Sequence, residues 1–494
     1  MKVLLLNPPF LSRYGKFSRN QRSPAITKAG TFYYPIWLAY ATGVLEQEGH
    51  QVRLLDAVAR KMNYGDVEVF AKEFGPDLVV VETSTPSIYN DTEIASRLKQ
   101  ALDKKPFVLL VGTHPSALPE ETLKLNGLLD GVARREYDYI VRDVARVISE
   151  GTKRDLETVE GLSFRDEKGE IRHNPTRAPI TNLDELPFVS EVYKKHLNVR
   201  HYFFGGAQYP VVQIISGRGC PNRCVWCVWP QVLHGRKFRA RSAQNVVDEL
   251  EFISKEMPEV KDIGFEDDTL TIDQGRTRKI CDLIMQRGLK ISWYANVRVN
   301  LDLDTMLKMK EAGCRFLIAG FESGSQEILK NIRKGITLEM SRRFMENARK
   351  AKLLVHGCFV AANPGETRKT LEKTINFAIE LNPDTAQFFP MMVYPGTEAY
   401  NWAKNNNCLD TEDFSKWVTE QGLHNCVVST TDMSSRELLE WCDAARRRFY
   451  LRPKYIWYKS LQTVLVPSER VRNLKQLRSF YKYLFRGSFE DRRS

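Results

Sequence analysis

The chain has 494 residues, 43% of them hydrophobic and 27% charged, with a net charge of +12. That length predicts two or three domains rather than one, and no apolar run approaches the roughly 18 residues that cross a bilayer. Nine cysteines, an odd and mostly scattered set, exclude a disulfide framework of the secreted kind and fit a reducing cytoplasm.

The apolar start Met1-Lys2-Val3-Leu4-Leu5-Leu6 has one Lys and no small-residue cleavage site, and Asn7-Pro8-Pro9 ends it. It reads as a first strand, not a signal peptide. Further strands are predicted at Val52–Leu55, Leu78–Val81, Phe107–Val111 and Leu128–Val132. Helical stretches lie between them, at Tyr34–Gln47, Val67–Phe74, Thr92–Leu102 and Tyr139–Ile148. Alternation of this kind implies right-handed crossovers and a doubly wound, Rossmann-like α/β domain over residues 1–150. Ligands on such sheets bind beyond the carboxyl ends of the strands, here the loops Asn7–Phe10, Glu82–Asn90 and Gly112–Pro119.

Residues 151–205 break the rhythm. A hairpin is predicted with its turn at Glu167-Lys168-Gly169, and Pro175, Pro179 and Pro187 mark a linker. A second series over residues 206–430 has strand candidates Val211–Ser216, Asp262–Phe265, Ile291–Ala295, Phe316–Ala319, Val355–Val360 and Ala386–Phe389, each followed by a helical stretch except the last. Six such units predict a partial (β/α)6, TIM-like barrel with its chemistry at the carboxyl ends of the strands. Residues 431–494 read as a basic, mainly helical segment.

The densest chemistry is Gly219-Cys220-Pro221-Asn222-Arg223-Cys224-Val225-Trp226-Cys227, directly after the first barrel strand. Three thiolates on one loop can ligate three irons of a [4Fe–4S] cubane, and with no fourth Cys nearby the last iron stays open to a substrate. A zinc site would need a fourth ligand, for which His234 is the nearest candidate. A redox pair of Cys224 and Cys227 leaves Cys220 unexplained. The remaining cysteines read as small buried hydrophobes.

The motif and the βα series after it resemble the radical S-adenosylmethionine superfamily. In that family the open iron chelates S-adenosylmethionine, and reductive cleavage gives a 5′-deoxyadenosyl radical. The resemblance extends to Gly264-Phe265-Glu266-Asp267-Asp268-Thr269, where Glu266 and Asp267 would contact the amino group of S-adenosylmethionine. It also covers Tyr294-Ala295-Asn296-Val297-Arg298, where Asn296 and Arg298 would meet ribose and carboxylate, Gly320-Phe321-Glu322-Ser323-Gly324-Ser325 with Glu322 and Ser323, and Asn363-Pro364-Gly365-Glu366-Thr367.

The doubly wound domain ahead of the barrel resembles the cobalamin-binding branch of that superfamily, through Ala29–Tyr40 and Gly131-Val132-Ala133-Arg134-Arg135-Glu136-Tyr137, in which Arg135 replaces a usual glycine. The Asp-x-His-x-x-Gly element that supplies a lower axial histidine is absent. His114, Thr83 and Ser84 are candidate contacts to the corrin.

The resemblance implies methyl transfer to an unactivated carbon by way of methylcobalamin, with ring contraction, cyclisation or oxidation as the alternative. It also implies a small-molecule substrate and an external electron donor such as flavodoxin or ferredoxin. The positive C-terminal segment, with Arg446, Arg447 and Arg448, points to a phosphorylated or lipid-linked substrate or to contact with a membrane surface. A reading of another class is a nucleic-acid- or membrane-binding protein with a structural cluster, in which Tyr455, Trp457, Tyr458, Tyr481, Tyr483 and Phe485 mix stacking with charge. Such a protein needs no open iron, and nucleic acid is not expected.

Overall fold

The computed structural model describes residues 1–151, 153–465, 470, 473 and 474. Its first sheet contains β1 (Lys2–Asn7), β2 (Gln51–Asp56), β3 (Leu78–Thr83), β4 (Phe107–Gly112), β5 (Gly131–Ala133), β6 (Leu162–Arg165) and β7 (Ile171–His173), in the order β2-β1-β3-β4-β5-β6-β7. The pairs from β2 to β5 are parallel. Both faces of this part are covered, which is why the strands read as unbroken apolar runs. Successive side chains enter opposite cores. Val3, Leu5 and Val80 pack with Leu38 and Val44 of the helix Ile36–Gln47. Leu4, Leu6, Val79 and Val81 pack with Ile94 and Leu98 of the helix Ile88–Ala101.

Strand order reverses at β1 and β3, and a crevice opens beyond their carboxyl ends at such a switch point. The hairpin is present as β6 and β7, and it continues this same sheet through antiparallel pairing of β6 with β5.

The barrel begins with β8 (Val211–Ile214). A short antiparallel pair, β9 (Gly217–Arg218) and β10 (Arg239–Ala240), then brackets the cysteine loop. The strands β11 (Asp262–Phe265), β12 (Trp293–Val297), β13 (Cys314–Glu322), β14 (Leu354–Ala361) and β15 (Thr385–Pro390) complete an all-parallel sheet in the order β15-β14-β13-β12-β11-β8. Residues 406–433 are mostly irregular, tied down by bridges such as Ile26↔Leu423 and Val418↔His424. The helices Ser435–Tyr450 and Pro453–Leu465 follow. Tyr481, Tyr483 and Phe485 lie outside the described residues.

Charged groups buried between the two sheets lock them together. Arg218 of β9 donates to both oxygens of Asp138 at 2.7 and 3.0 Å, and its guanidinium lies over Trp37 and Tyr40. Glu136 accepts from Arg239 Nη1 at 2.9 Å and faces His234 Nδ1 at 3.3 Å. These bonds hold the Glu136 carboxyl far below its ordinary range despite burial. Removing one partner from a buried pair of this kind costs about 3–5 kcal/mol. Arg135, in the place of a usual glycine, has φ +67°, the left-handed region where glycine carries no steric cost. Among the described residues no helix is long and apolar enough to cross a membrane.

Candidate active site

The cysteine loop leaves β9 at Gly219, whose φ is +84° and where a Cβ would stand 2.3 Å from the Lys237 carbonyl. Only glycine lets the loop close this tightly. The loop ends in a π-helical turn, Trp229–Leu233. Gln231 Nε2 ties that turn back to the Val225 and Cys227 carbonyls at 3.0 Å each.

Cys220 and Cys224 are buried, Cys227 is half-buried, and none is in a disulfide. Burial pushes the Cys227 thiol up, and Asp268 and the other two thiols add to the shift, so the three sulfurs share one electrostatic neighbourhood. Asn222 Nδ2 donates to Cys220 Sγ at 3.1 Å. Among the described residues no three His, Cys, Asp or Glu side chains are gathered as ligands of a single metal ion. Cubane thiolates bind three different irons, so they need no such convergence. His234, the fourth zinc candidate, is engaged by Glu136 and packs on Trp37 at 4.4 Å instead.

The acidic turn after β11 sits against this loop. Glu266 is buried, which raises its pKa, and it accepts from Gln213 Nε2 at 2.9 Å and Asn296 Nδ2 at 3.2 Å. Asp267 accepts from Ser216 N at 2.6 Å and Ser216 Oγ at 2.5 Å, so both its oxygens brace the end of β8. Asp268 accepts from Gly219 N at 3.1 Å through one oxygen, while its Oδ1 is buried without a partner.

At the end of β13, Glu322 has φ +65°, with Lys334 Nζ on its Oε1 at 2.6 Å and its Oε2 buried without a partner. Arg298 donates to the Lys334 carbonyl at 2.6 Å. Ser323 meets Thr374 Oγ1 at 3.1 Å and accepts from Ser325 N, contacts that shape its own loop.

Arg22 has no periodic pattern around it to mark it in the sequence. It comes from the long connection between β1 and the helix Ile36–Gln47. Its Nη2 donates to the Asp267 carbonyl at 2.6 Å, its Nη1 stands 3.8 Å from Glu266, and its guanidinium lies 4.4 Å from the Trp229 ring centre. The next residue, Ser23, meets both Tyr394 OH at 3.3 Å and His424 Nδ1 at 3.2 Å. Arg22, Tyr33, Cys227, Cys358 and His424 all keep accessible surface although protein surrounds them on every side. Arg22 interacts electrostatically with Tyr33, Cys227 and Cys358 and its neighbour Ser23 touches His424, so these residues gather around a common interior hollow.

The crevice of the first sheet adjoins the same segment. Asn20 Nδ2 donates to Glu82 Oε2 at 2.7 Å, and burial pushes the Glu82 carboxyl up to about 7. Asn20 Oδ1 and Thr83 Oγ1 are buried without partners. Gly112 has φ +115°, and a Cβ there would lie 2.2 Å from the Thr83 carbonyl. Ser84 is occupied by Ser87 at 2.8 Å. His114 is buried, with Nδ1 3.3 Å from Thr85 Oγ1 and its ring edge-on to Phe414, and burial alone lowers its pKa to about 3. Orphaned polar atoms at the strand ends of this crevice suit a large ligand rich in amide groups.

Of the C-terminal arginines expected near a phosphate, Arg446 donates to the Phe388 carbonyl and pairs with Asp443. Arg448 grips both oxygens of Glu372 at 2.6 and 2.7 Å.

Comparison with known proteins follows the same division. The family model described as the radical SAM superfamily matches residues 214–378, and that described as a B12 binding domain matches residues 22–145. The uncharacterized methyltransferase PH0819 of Pyrococcus horikoshii is 33% identical over 92% of this chain and 94% of its own. The chain belongs to the cobalamin-binding radical S-adenosylmethionine enzymes.

The cofactors of this family are a [4Fe–4S] cluster, S-adenosylmethionine and cobalamin, and the donor set and crevice described above fit them. The cytidylyl-2-hydroxyethylphosphonate methyltransferase of Streptomyces wedmorensis is 25% identical, over 86% of each chain. The anaerobic magnesium-protoporphyrin IX monomethyl ester cyclase of Rubrivivax gelatinosus is 24% identical, over 93% of this chain and 79% of its own. Among solved structures, the radical S-adenosylmethionine methyltransferase TsrM of Kitasatospora setae superposes with a TM-score of 0.67 at 19% identity, over 90% of this chain and 88% of that one. At that identity the likeness speaks for the fold of a cobalamin-binding radical enzyme.

Proposed function

We propose that this enzyme transfers a methyl group to an unactivated carbon of a small molecule. The observation that carries the reading is the short path between the two cofactor places. Asn20 holds Glu82 at the first-sheet crevice, and two residues later Arg22 holds the turn Glu266–Asp267 beside the cysteine loop. A methyl donor in the crevice and a radical source on the loop would then open on one hollow. Methyltransferases among the relatives support the same choice.

In this proposal Cys220, Cys224 and Cys227 hold the cluster. Glu266, Asn296 and the unpartnered oxygens of Glu322 and Asp268 receive S-adenosylmethionine, with Arg298 and Lys334 balancing the charge. Asp267 and Ser323 fix the loops that carry these groups. Thr83, Asn20 and the crevice around His114 and Ser84 receive the corrin. Bound there, the cluster and S-adenosylmethionine supply a carbon-centred radical, and the cobalamin supplies the methyl group.

The chain's own task is to exclude water from the hollow and hold the substrate carbon between the two. On the substrate side, Ser23 Oγ stands between Tyr394 OH at 3.3 Å and His424 Nδ1 at 3.2 Å. Burial lowers the His424 pKa to about 4, so the ring stays neutral near pH 7. An external one-electron donor of the flavodoxin or ferredoxin type would reduce the cluster.

A second reading, radical cyclisation without methylation, is favoured by the likeness to the cyclases. Anaerobic turnover with deuteromethyl-labelled S-adenosylmethionine separates the two. Product carrying the labelled methyl supports transfer, and product that loses hydrogen without gaining the label supports cyclisation.

A further inference from the structure

A surface helix ordinarily turns its apolar side to the core and its polar side to water. The helix Pro453–Leu465 departs from this. Its docked side seats the Tyr455 ring on Phe449 and Tyr450 and is otherwise held by polar contacts: Tyr455 OH donates to the Asp384 carbonyl at 2.7 Å, Tyr458 OH donates to Asp384 Oδ1 at 2.9 Å, and Lys459 Nζ stands 3.7 Å from that carboxylate. Gln462, on the same side, is buried. The opposite side carries Trp457, Leu461, Val464 and Leu465, which are 67%, 40%, 66% and 71% exposed. Spacings of four, seven and eight residues from Trp457 place these four on one stripe.

A single exposed leucine needs no explanation, whereas a contiguous apolar stripe marks a surface that something covers. The charge around it indicates what. Residues 451–494 contain eleven Lys and Arg against three acids, and Lys454 borders the stripe. A tryptophan-centred apolar face with a basic surround is the composition of helices that lie in the headgroup layer of anionic bilayers. There the rings and aliphatic chains enter the acyl boundary while lysines reach up to the phosphates.

We propose that Pro453–Leu465 is an in-plane membrane anchor that holds the enzyme on an anionic phospholipid surface. It lies on the bilayer and does not span it. The anchor is distinct from the cofactor sites, so the proposal stands apart from the reading of the reaction.

The test is co-sedimentation of the full chain with phosphatidylcholine vesicles, and with vesicles that also contain phosphatidylglycerol, beside a variant carrying Trp457→Ser, Leu461→Ser and Val464→Ser. The wild type should pellet with the anionic vesicles and release as salt is raised. The variant should bind at least about tenfold more weakly with an unchanged melting temperature. Failure of the wild type to pellet, or equal pelleting of the variant, overturns the proposal. A dimer in sedimentation velocity that the variant dissolves assigns the stripe to a second copy and overturns it too. A melting temperature that drops by several degrees in the variant assigns the stripe to the chain's own packing, with the same result.

Discussion

Arg22 Nη2 donates to the main-chain carbonyl of Asp267 at 2.6 Å, across 245 residues of sequence. The bond brings a cation from the first domain's connection to the mouth of the barrel, beside Cys227 and Glu266. Replacing Arg22 by Gln should weaken S-adenosylmethionine binding about tenfold, equivalent to ~1.4 kcal/mol, and should lower the cluster's midpoint potential, because a nearby positive charge favours the reduced cluster. Arg22→Lys should restore the potential more fully than the affinity, since an ammonium keeps the charge without the planar fork. Equilibrium dialysis and potentiometric titration read the two effects. Wild-type values in R22Q for both would sink the assignment.

Lys334 and Glu322 form a pair sealed from water at 2.6 Å. Lys334→Met should destabilise the chain by about 3–5 kcal/mol, because it strands a carboxylate in the interior. Adding Glu322→Gln should recover most of that loss. Chemical denaturation of the two single variants and the double gives the coupling directly, and additive losses would contradict the pairing.

Serine at Cys220, Cys224 or Cys227 should each abolish the iron–sulfur chromophore after anaerobic reconstitution while leaving cobalamin uptake intact. Serine at Cys281, buried in a helix, or at Cys358, which faces the hollow, should leave about four irons per chain. Iron analysis with absorbance spectra separates the outcomes.

Glu82 should set part of the pH dependence of stability. Burial moves its pKa from 4.5 to about 7 in the folded chain. Between those values the native state holds a proton that the unfolded chain has released, so stability falls as pH rises through the window, by about 3 kcal/mol once pH passes 7. Glu82→Gln imitates the protonated acid. It should unfold at higher urea than the wild type at pH 8 and at the same urea near pH 4. Parallel curves at the two pH values would count against the shift.

Most of the framework was readable because buried parallel strands are written as apolar runs. Leu78–Val81 and Phe107–Val111 stand inside β3 and β4. Strand ends were harder: β12 runs Trp293–Val297, two residues beyond the expected Ile291–Ala295, since its last residues carry polar site groups such as Asn296 on an otherwise buried strand. The cysteines and Glu266 can be proposed from the sequence because their chemistry is local.

Arg22, Ser23 and His424 were not found. Their meaning lies in contacts between segments far apart in sequence, and irregular backbone leaves no period to read. The run Glu266-Asp267-Asp268 did contain a signal. Three consecutive acids at a strand end cannot all face one ligand, and here the middle one turns back to Ser216 while its neighbours turn to the hollow and to Gly219.

Residues 19–23 make this protein a poor subject for gene shuffling. Arg19 is anchored on Asp91, Asn20 on Glu82, Arg22 on Asp267 and Ser23 on His424, so four of five successive positions answer to three distant parts of the chain. A chimera that joined this barrel to a relative's cobalamin domain would import a foreign segment here, and with it a mismatched wall for the hollow. Lineages that recombine their halves freely should therefore be rarer than lineages that inherit both halves together.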